Sequence, residues 1–108
     1  MSAALSVNQV SEETVSLEGE LTFTTVPAAY ERLRDVLDGR ERLVLDLASV
    51  GRADSASLAL LVELQREARE RGVELEMTGM PDPLMRLARL SGVDSLLTAG
   101  APGRGNPG

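Results

Sequence analysis

Residues Leu43 to Leu64 read Leu-Val-Leu-Asp-Leu-Ala-Ser-Val-Gly-Arg-Ala-Asp-Ser-Ala-Ser-Leu-Ala-Leu-Leu-Val-Glu-Leu, and the order of polar and apolar positions in this stretch decides the fold. Leu43 to Leu47 is aliphatic apart from Asp46, the composition of a central strand covered on much of its surface. From about Ser55 to Arg71 the apolar residues recur at three-four spacing, which predicts an amphipathic helix closed by Gly72. Between strand and helix, Gly51 to Ser57 forms a short polar turn that carries a carboxylate and hydroxyls but no histidine, cysteine or lysine. A hydroxyl in such a turn can cap the helix, accept a phosphate or touch a partner. It has little means of becoming a nucleophile.

Working outward from this stretch, Leu5 to Val10 alternates loosely as a strand. Val15, Leu17, Gly19 and Leu21 repeat at period two after the polar turn Ser11-Glu12-Glu13. So brief a connection predicts an antiparallel hairpin. Thr24 and Thr25 offer hydroxyl caps and Pro27 a first-turn proline for a helix with Val26, Ala29, Tyr30, Leu33, Val36 and Leu37 on its apolar side, stopped by Gly39.

Beyond the long helix, Val73 to Met77 alternates as a half-exposed strand with both glutamates toward water. Asp82 as cap and Pro83 at the first position open a third helix with Leu84, Leu87, Ala88 and Leu90 inward, ending at Gly92. Leu96-Leu97 allows one last short strand. The expected order is β-β-α-β-α-β-α with that final strand as an addition. This is an α/β single domain over residues 1–98, a small mixed sheet with helices packed mainly on one face. Residues 99–108, rich in Gly and Pro, read as a disordered tail.

The composition narrows the function. A chain of 108 residues suits one domain, its 43% apolar share is built almost wholly from Leu, Val and Ala, and 26% charged residues keep the surface soluble. No apolar run approaches the roughly 20 residues that span a bilayer, and the N-terminus lacks a basic, hydrophobic signal pattern, so the expected location is the cytoplasm. A net charge of −6 sets the chain against nucleic acid and anionic lipid headgroups as direct ligands. All 11 basic residues are arginine, which excludes lysine and histidine chemistry and histidine metal ligation. No enzyme, no catalytic residue, no metal site and no cofactor are expected.

Asp54 or Ser55 can accept hydrogen bonds from the first free amides of the long helix, worth about 1 kcal/mol, and Asp54 suits the positive end of the helix dipole. Structural capping accounts for both residues by itself. The functional reading adds an outward hydroxyl open to a partner or a kinase.

At about 100° per residue, Leu58, Leu61, Leu64 and Ala68 gather on one side of the helix with Leu60 at its edge. Ala56, Ala59, Val62, Glu63 and Arg66 fall on the other. Alanine is a good helix former wherever it stands. Even so, small and apolar residues on the exposed first turns leave room for another backbone to come close. The candidate partner-binding residues are therefore Arg52, Asp54, Ser55, Ala56, Ser57, Ala59, Val62, Glu63 and Arg66.

Other features read as structural. Asp46 and Asp54 lack the further ligands of a metal site. Leu17-Glu-Gly-Glu-Leu21 contains no phosphate-cradling loop. Tyr30 packs into the core with its hydroxyl at the rim, and Arg66 to Arg71 alternates with glutamate as a salt-bridged solvated face.

Leu45-Asp-Leu-Ala-Ser-Val-Gly-Arg-Ala-Asp-Ser-Ala-Ser-Leu-Ala-Leu-Leu61, with Leu17-x-Gly-Glu-Leu21 before it, resembles the STAS domain, named for sulfate transporters and anti-sigma factor antagonists. The resemblance covers roughly residues 5–98. Antagonists of the family read Asp-Ser-Ser-Gly-Leu, with the second serine the target of a partner kinase. Here that position is Ala56 and the glycine is Ser57, so the usual switch is missing.

The Mla branch, a small stand-alone subunit of a phospholipid-transporting ABC complex, is similar at Arg52-Ala-Asp-Ser-Ala-Ser-Leu-Ala-Leu-Leu61, at Thr78-Gly-Met80 and at Leu87-Ala-Arg-Leu90. That resemblance implies a non-catalytic accessory subunit, peripheral to the inner membrane. It would bind the cytoplasmic ATPase subunit, with the permease and substrate-binding subunits as indirect partners and no direct lipid contact. It also implies that Ser55, the hydroxyl directly after the aspartate, lies at the ATPase contact. The alternative is an anti-sigma factor antagonist that binds a serine kinase.

Overall fold

A computed structural model describes residues 5–98; the expected tail lies outside the described residues. The elements in order are β1 (Leu5–Gln9), β2 (Thr14–Leu21), α1 (Val26–Leu37), β3 (Arg42–Ala53), α2 (Ser55–Glu70), β4 (Glu74–Thr78), α3 (Asp82–Ser91) and α4 (Asp94–Thr98). They form one four-stranded sheet in the order β1-β2-β3-β4. The hairpin is antiparallel, with Val7 opposite Leu17. The other two pairs are parallel, with Val15 beside Leu45 and Leu45 beside Met77. Parallel neighbours need a crossover, and α1 and α2 supply it. This is the mixed sheet the sequence predicts.

Period two puts Val15, Leu17 and Leu21 of β2, Leu43, Leu45 and Leu47 of β3, and Leu75 and Met77 of β4 on the helix-covered face, where all are buried. Leu33 and Leu37 from α1, Leu61 and Leu64 from α2, and Leu84 from α3 close the core over them. Each such side chain contributes about 1.5–3 kcal/mol by leaving water. Gln65, a buried polar residue on α2, donates to the carbonyl of Leu75 at 3.2 Å and so ties the helix to β4.

The opposite sheet face is polar. On it Arg42 reaches Glu13 at 3.4 Å, Glu74 at 3.3 Å and Glu76 at 3.1 Å.

Five local expectations are corrected. β3 does not end near Leu47 but runs on through Gly51 to Ala53, into the stretch read as a turn. It carries extra residues against β2: Ser16 pairs Asp46 but Glu18 pairs Ser49, and Gly19 pairs Val50 but Leu21 pairs Ala53. These bulges break the alternation, so Leu47 and Val50 are both buried although three residues apart. Leu96-Leu97 belongs to the short helix α4 rather than a strand; its backbone closes on Val93, which leaves no row of free amides for sheet pairing. Leu90 is 81% exposed instead of inward, because the apolar stripe of α3 passes through Leu84 and Ala88.

The last two concern caps. Thr25 stands at the N-cap of α1 without a side-chain cap. Its hydroxyl instead accepts from the Thr22 amide and donates to the Glu20 carbonyl, both at 3.0 Å, closing the loop before the helix. Asp82 is the first residue of α3, after a Pro81 N-cap whose ring carries no group to accept a hydrogen bond.

Candidate partner-binding site

Because β2 and β3 are parallel neighbours, their C-terminal ends come side by side at the Leu21–Ala53 pair. The loop from Thr22 to Thr25 and the start of α2 therefore share one edge of the sheet. In open parallel sheets that edge is where binding residues gather. Asp54 is a single extended residue between β3 and α2. Its Oδ1 accepts the Ala56 amide at 2.9 Å, the N-cap bond read from the sequence. Its Oδ2 accepts the Phe23 amide at 3.1 Å, so the same carboxylate fastens the neighbouring loop.

The predicted site residues separate into groups. Ser55, Ala59, Glu63 and Arg66 follow one another at three-four spacing along the outer flank of α2, with Ser55, Ala59 and Arg66 exposed and Glu63 half-buried. Ala56 and Val62 border this stripe half-buried, not fully solvent-facing, and Val62 packs partly against the core. Glu63 and Arg66 pair with each other at 2.9 Å, so their charges cancel locally.

Ser57 is corrected outright: it is fully buried, and its hydroxyl donates back to the Asp54 carbonyl. As the third helical residue it turns under the cap, whereas Ser55 remains the outward hydroxyl. Arg52 is exposed within the second bulge of β3, next to Ala53, which packs on the core; it belongs to the strand and is not on the α2 stripe.

Asp46 is occupied structurally. Its Oδ1 accepts the Ala48 amide at 3.0 Å and lies close beside Gly79. Among the described residues no group of three or more His, Cys, Asp or Glu could hold a metal.

Between α1 and α2 lies an open groove of about 290 Å³ lined by Val26, Pro27, Tyr30, Ala59, Leu60 and Glu63. Tyr30 is half-buried, and its hydroxyl donates to Glu67 at 3.0 Å. Partial burial, then the Glu67 hydrogen bond and negative charge, hold its phenol above the usual range. Arg34 lies 5.5 Å from the ring centroid and 3.6 Å from Glu67, which Arg71 meets at 3.3 Å. Sequence reading missed Phe23, which is 74% exposed at the mouth of α1. An isolated aromatic on a loop has no periodicity to mark it.

Comparison with known proteins agrees with this architecture. The family model described as "Mlab, STAS domain" matches residues 5–98. The chain is 32% identical over 90 residues to the intermembrane phospholipid transport system binding protein MlaB of Escherichia coli, covering 83% of this chain and 90% of that one. It is also 32% identical over 85 residues to the anti-sigma-B factor antagonist of Listeria monocytogenes, covering 77% of this chain and 74% of that one.

Among solved structures, the unphosphorylated anti-sigma factor antagonist SpoIIAA superposes with a TM-score of 0.68 at 16% identity, covering 86% of this chain and 84% of that one. A sulfate transporter family protein from Wolinella succinogenes gives 0.63 at 23% identity, covering 87% and 77%. These two structures share the fold. With its sheet order, its Asp54-capped helix and a family match over residues 5–98, the chain belongs to the STAS domain family.

Proposed function

We propose that this chain is a non-catalytic accessory subunit of a bacterial ABC complex that moves phospholipid between membranes and maintains outer-membrane lipid asymmetry. In this reading Ser55 and the outer flank of α2 seat the cytoplasmic ATPase subunit and favour its assembled, ATP-competent arrangement by binding that state better than others. Contact with the permease and the substrate-binding subunit is indirect, and the chain touches neither lipid nor nucleic acid. It works at the cytoplasmic side of the inner membrane; among the described residues no helix is long and apolar enough to cross a bilayer.

The observation that carries the reading is the α2 flank. An exposed Ser55 and an exposed Ala59 stand on the capped end of a 16-residue helix, with no long charged side chain before Glu63 to keep another backbone away. The likeness to MlaB over nine-tenths of that protein supports it. The absence of histidine, cysteine and lysine supports a binding role over a catalytic one.

The test is co-purification with the cognate ATPase subunit. Ser55→Arg, and separately Ala59→Glu, are expected to abolish it while the circular dichroism spectrum is unchanged. Full recovery of the ATPase with both variants contradicts the site.

A second reading, an anti-sigma factor antagonist, is favoured by the equal identity to the Listeria protein. The antagonist's phosphorylated position is Ala56 here and Ser57 is buried, so that reading has Ser55 as its remaining acceptor at the helix mouth. Incubation with ATP and a candidate serine kinase, followed by mass spectrometry, distinguishes the two: phosphate on Ser55 supports the antagonist.

A further inference from the structure

The two edges of the sheet are finished differently. On β4 the Glu74 amide bonds inward to Glu41, so the backbone of Leu75 faces outward. There its carbonyl is taken by the buried Gln65 side chain. The helix α4 packs alongside with Leu97 fully buried, and Glu74 and Glu76 carry charge. Cover and charge of this kind keep an edge strand from pairing with another chain.

On β1 these devices are missing. Leu5-Ser-Val-Asn-Gln9 contains no charge and no proline, and it has the ordinary strand length of about 5–6 residues. The Val10 amide bonds to the Thr14 carbonyl at 2.8 Å, which fixes the phase of the ladder. Antiparallel bonding alternates, so Ser6 and Asn8 bond to Glu18 and Ser16, while the backbone groups of Leu5, Val7 and Gln9 face away from β2. Among the described residues no strand pairs with that outward row.

Such a row is completed by another extended backbone, and the flanking charges fit a second copy of β1 itself. Ala28 and Arg32 of α1 line an open groove of about 250 Å³ with Leu5 and Val7, and Arg40, just past α1, reaches Gln9 at 3.3 Å. The level of Val7 therefore falls near Arg32 and Asp35. Both are exposed, and neither has an ion pair among the described residues. Glu31 stands about 100° further round the helix, away from β1. A two-fold axis through Val7 sets the two α1 helices antiparallel, with Arg32 of each copy level with Asp35 of the other. Leu5 then faces Gln9, and Arg40 comes level with Ala28, so these positions bring no like charges together.

We infer that this chain forms a two-fold dimer through β1, joining two four-stranded sheets into one, with Arg32 of each copy against Asp35 of the other. The helix α2 connects β3 to β4 at the far side of the sheet, so its outer flank stays open and the dimer is independent of ATPase docking. One short strand a side makes a small interface, and small interfaces associate weakly and in proportion to concentration.

Sedimentation equilibrium of the full chain tests it. Wild type is expected to pass from monomer to dimer between about 1 µM and about 1 mM. Ser6 and Asn8 are exposed on the polar face and fall opposite each other across the axis. The double variant Ser6→Lys with Asn8→Lys therefore sets lysine against lysine twice. It is expected to raise the dissociation constant about tenfold while the circular dichroism spectrum stays that of wild type. Arg32→Asp and Asp35→Arg are each expected to weaken the dimer several-fold, and the two together to restore it.

Dissociation by the lysine pair, with restoration by the double charge swap, supports the dimer. Wild type that stays monomeric throughout overturns it, whether or not a strand of another protein pairs with β1. A dimer indifferent to the lysine pair is built on another surface and overturns it as well. If neither charge reversal weakens the dimer, the α1 helices do not face one another and the two-fold pairing is overturned.

Discussion

The amide of Phe23 donates to the carboxylate of Asp54 at 3.1 Å, across 31 residues of chain. The other oxygen of that carboxylate caps α2 at the Ala56 amide. One side chain thus sets both the start of the long helix and the position of the loop before α1, which makes Asp54 a brace for the proposed docking edge.

Asp54→Ala removes the cap and the cross-loop bond together and is expected to cost about 2 kcal/mol in urea denaturation. Asp54→Asn keeps one acceptor oxygen but turns an amide group toward one of the two donors, so about half of that loss is expected. Equal stability of Asp54→Ala and wild type contradicts the bracing role.

The two serines of the helix mouth respond oppositely to charge. Ser55→Glu places a carboxylate at an exposed helix N-terminus, where the dipole favours it and Asp54 opposes it; stability is expected to stay within about 0.5 kcal/mol of wild type. Ser57→Glu forces a charge into a fully buried site and is expected to cost about 3 kcal/mol or more, read as a lower melting temperature.

Gly79 has a φ of 67°, and an added Cβ would lie 2.8 Å from the backbone nitrogen and Cβ of Ala48 and 2.9 Å from Asp46 Oδ1. Gly79→Ala therefore combines left-handed strain with overpacking at the β3 bulge and is expected to destabilise by about 3 kcal/mol. Gly72, at a φ of 73° with nothing within 4 Å, carries the strain alone, and Gly72→Ala is expected to cost about 1 kcal/mol. Thermal melts of the two variants, compared side by side, check the difference.

Tyr30 is the chain's single tyrosine, so its ionisation can be followed at the phenolate absorbance without interference. Partial burial and the Glu67 hydrogen bond raise its pKa in the folded state. The unfolded chain releases this proton first, so the associated stability is full below the ordinary phenolic pKa and declines as pH rises through the folded value. The titration midpoint is expected above that of free tyrosine. Glu67→Gln is expected to lower it part of the way, because burial remains.

Much of this was legible in the sequence for physical reasons. Long elements with clean periods announce themselves: α2, the hairpin, and the Val73–Met77 alternation follow from apolar spacing alone. The family resemblance follows from Asp54-Ser55 before a leucine-rich helix. What escaped lies where period and packing part company. The bulges opposite the Ser16–Glu18 and Gly19–Leu21 steps of β2 shift the phase of β3, so its last residues looked like a turn. Ser57 looked as free as Ser55, because sequence does not say which hydroxyl folds back onto the Asp54 carbonyl. Leu96-Leu97 is too short for period to separate a strand from one turn of helix. The groove could not be read at all, since α1 and α2 meet only through the fold.

The proposed seat of the ATPase subunit is the outer flank of α2. Hydrogen–deuterium exchange of this protein, free and bound to the cognate ATPase, tests it most directly. Docking on α2 predicts new protection over residues 55–66 and unchanged exchange across the open polar face of the sheet. Protection confined to that polar face, around Arg42, Glu74 and Glu76, with residues 55–66 unchanged, would contradict it.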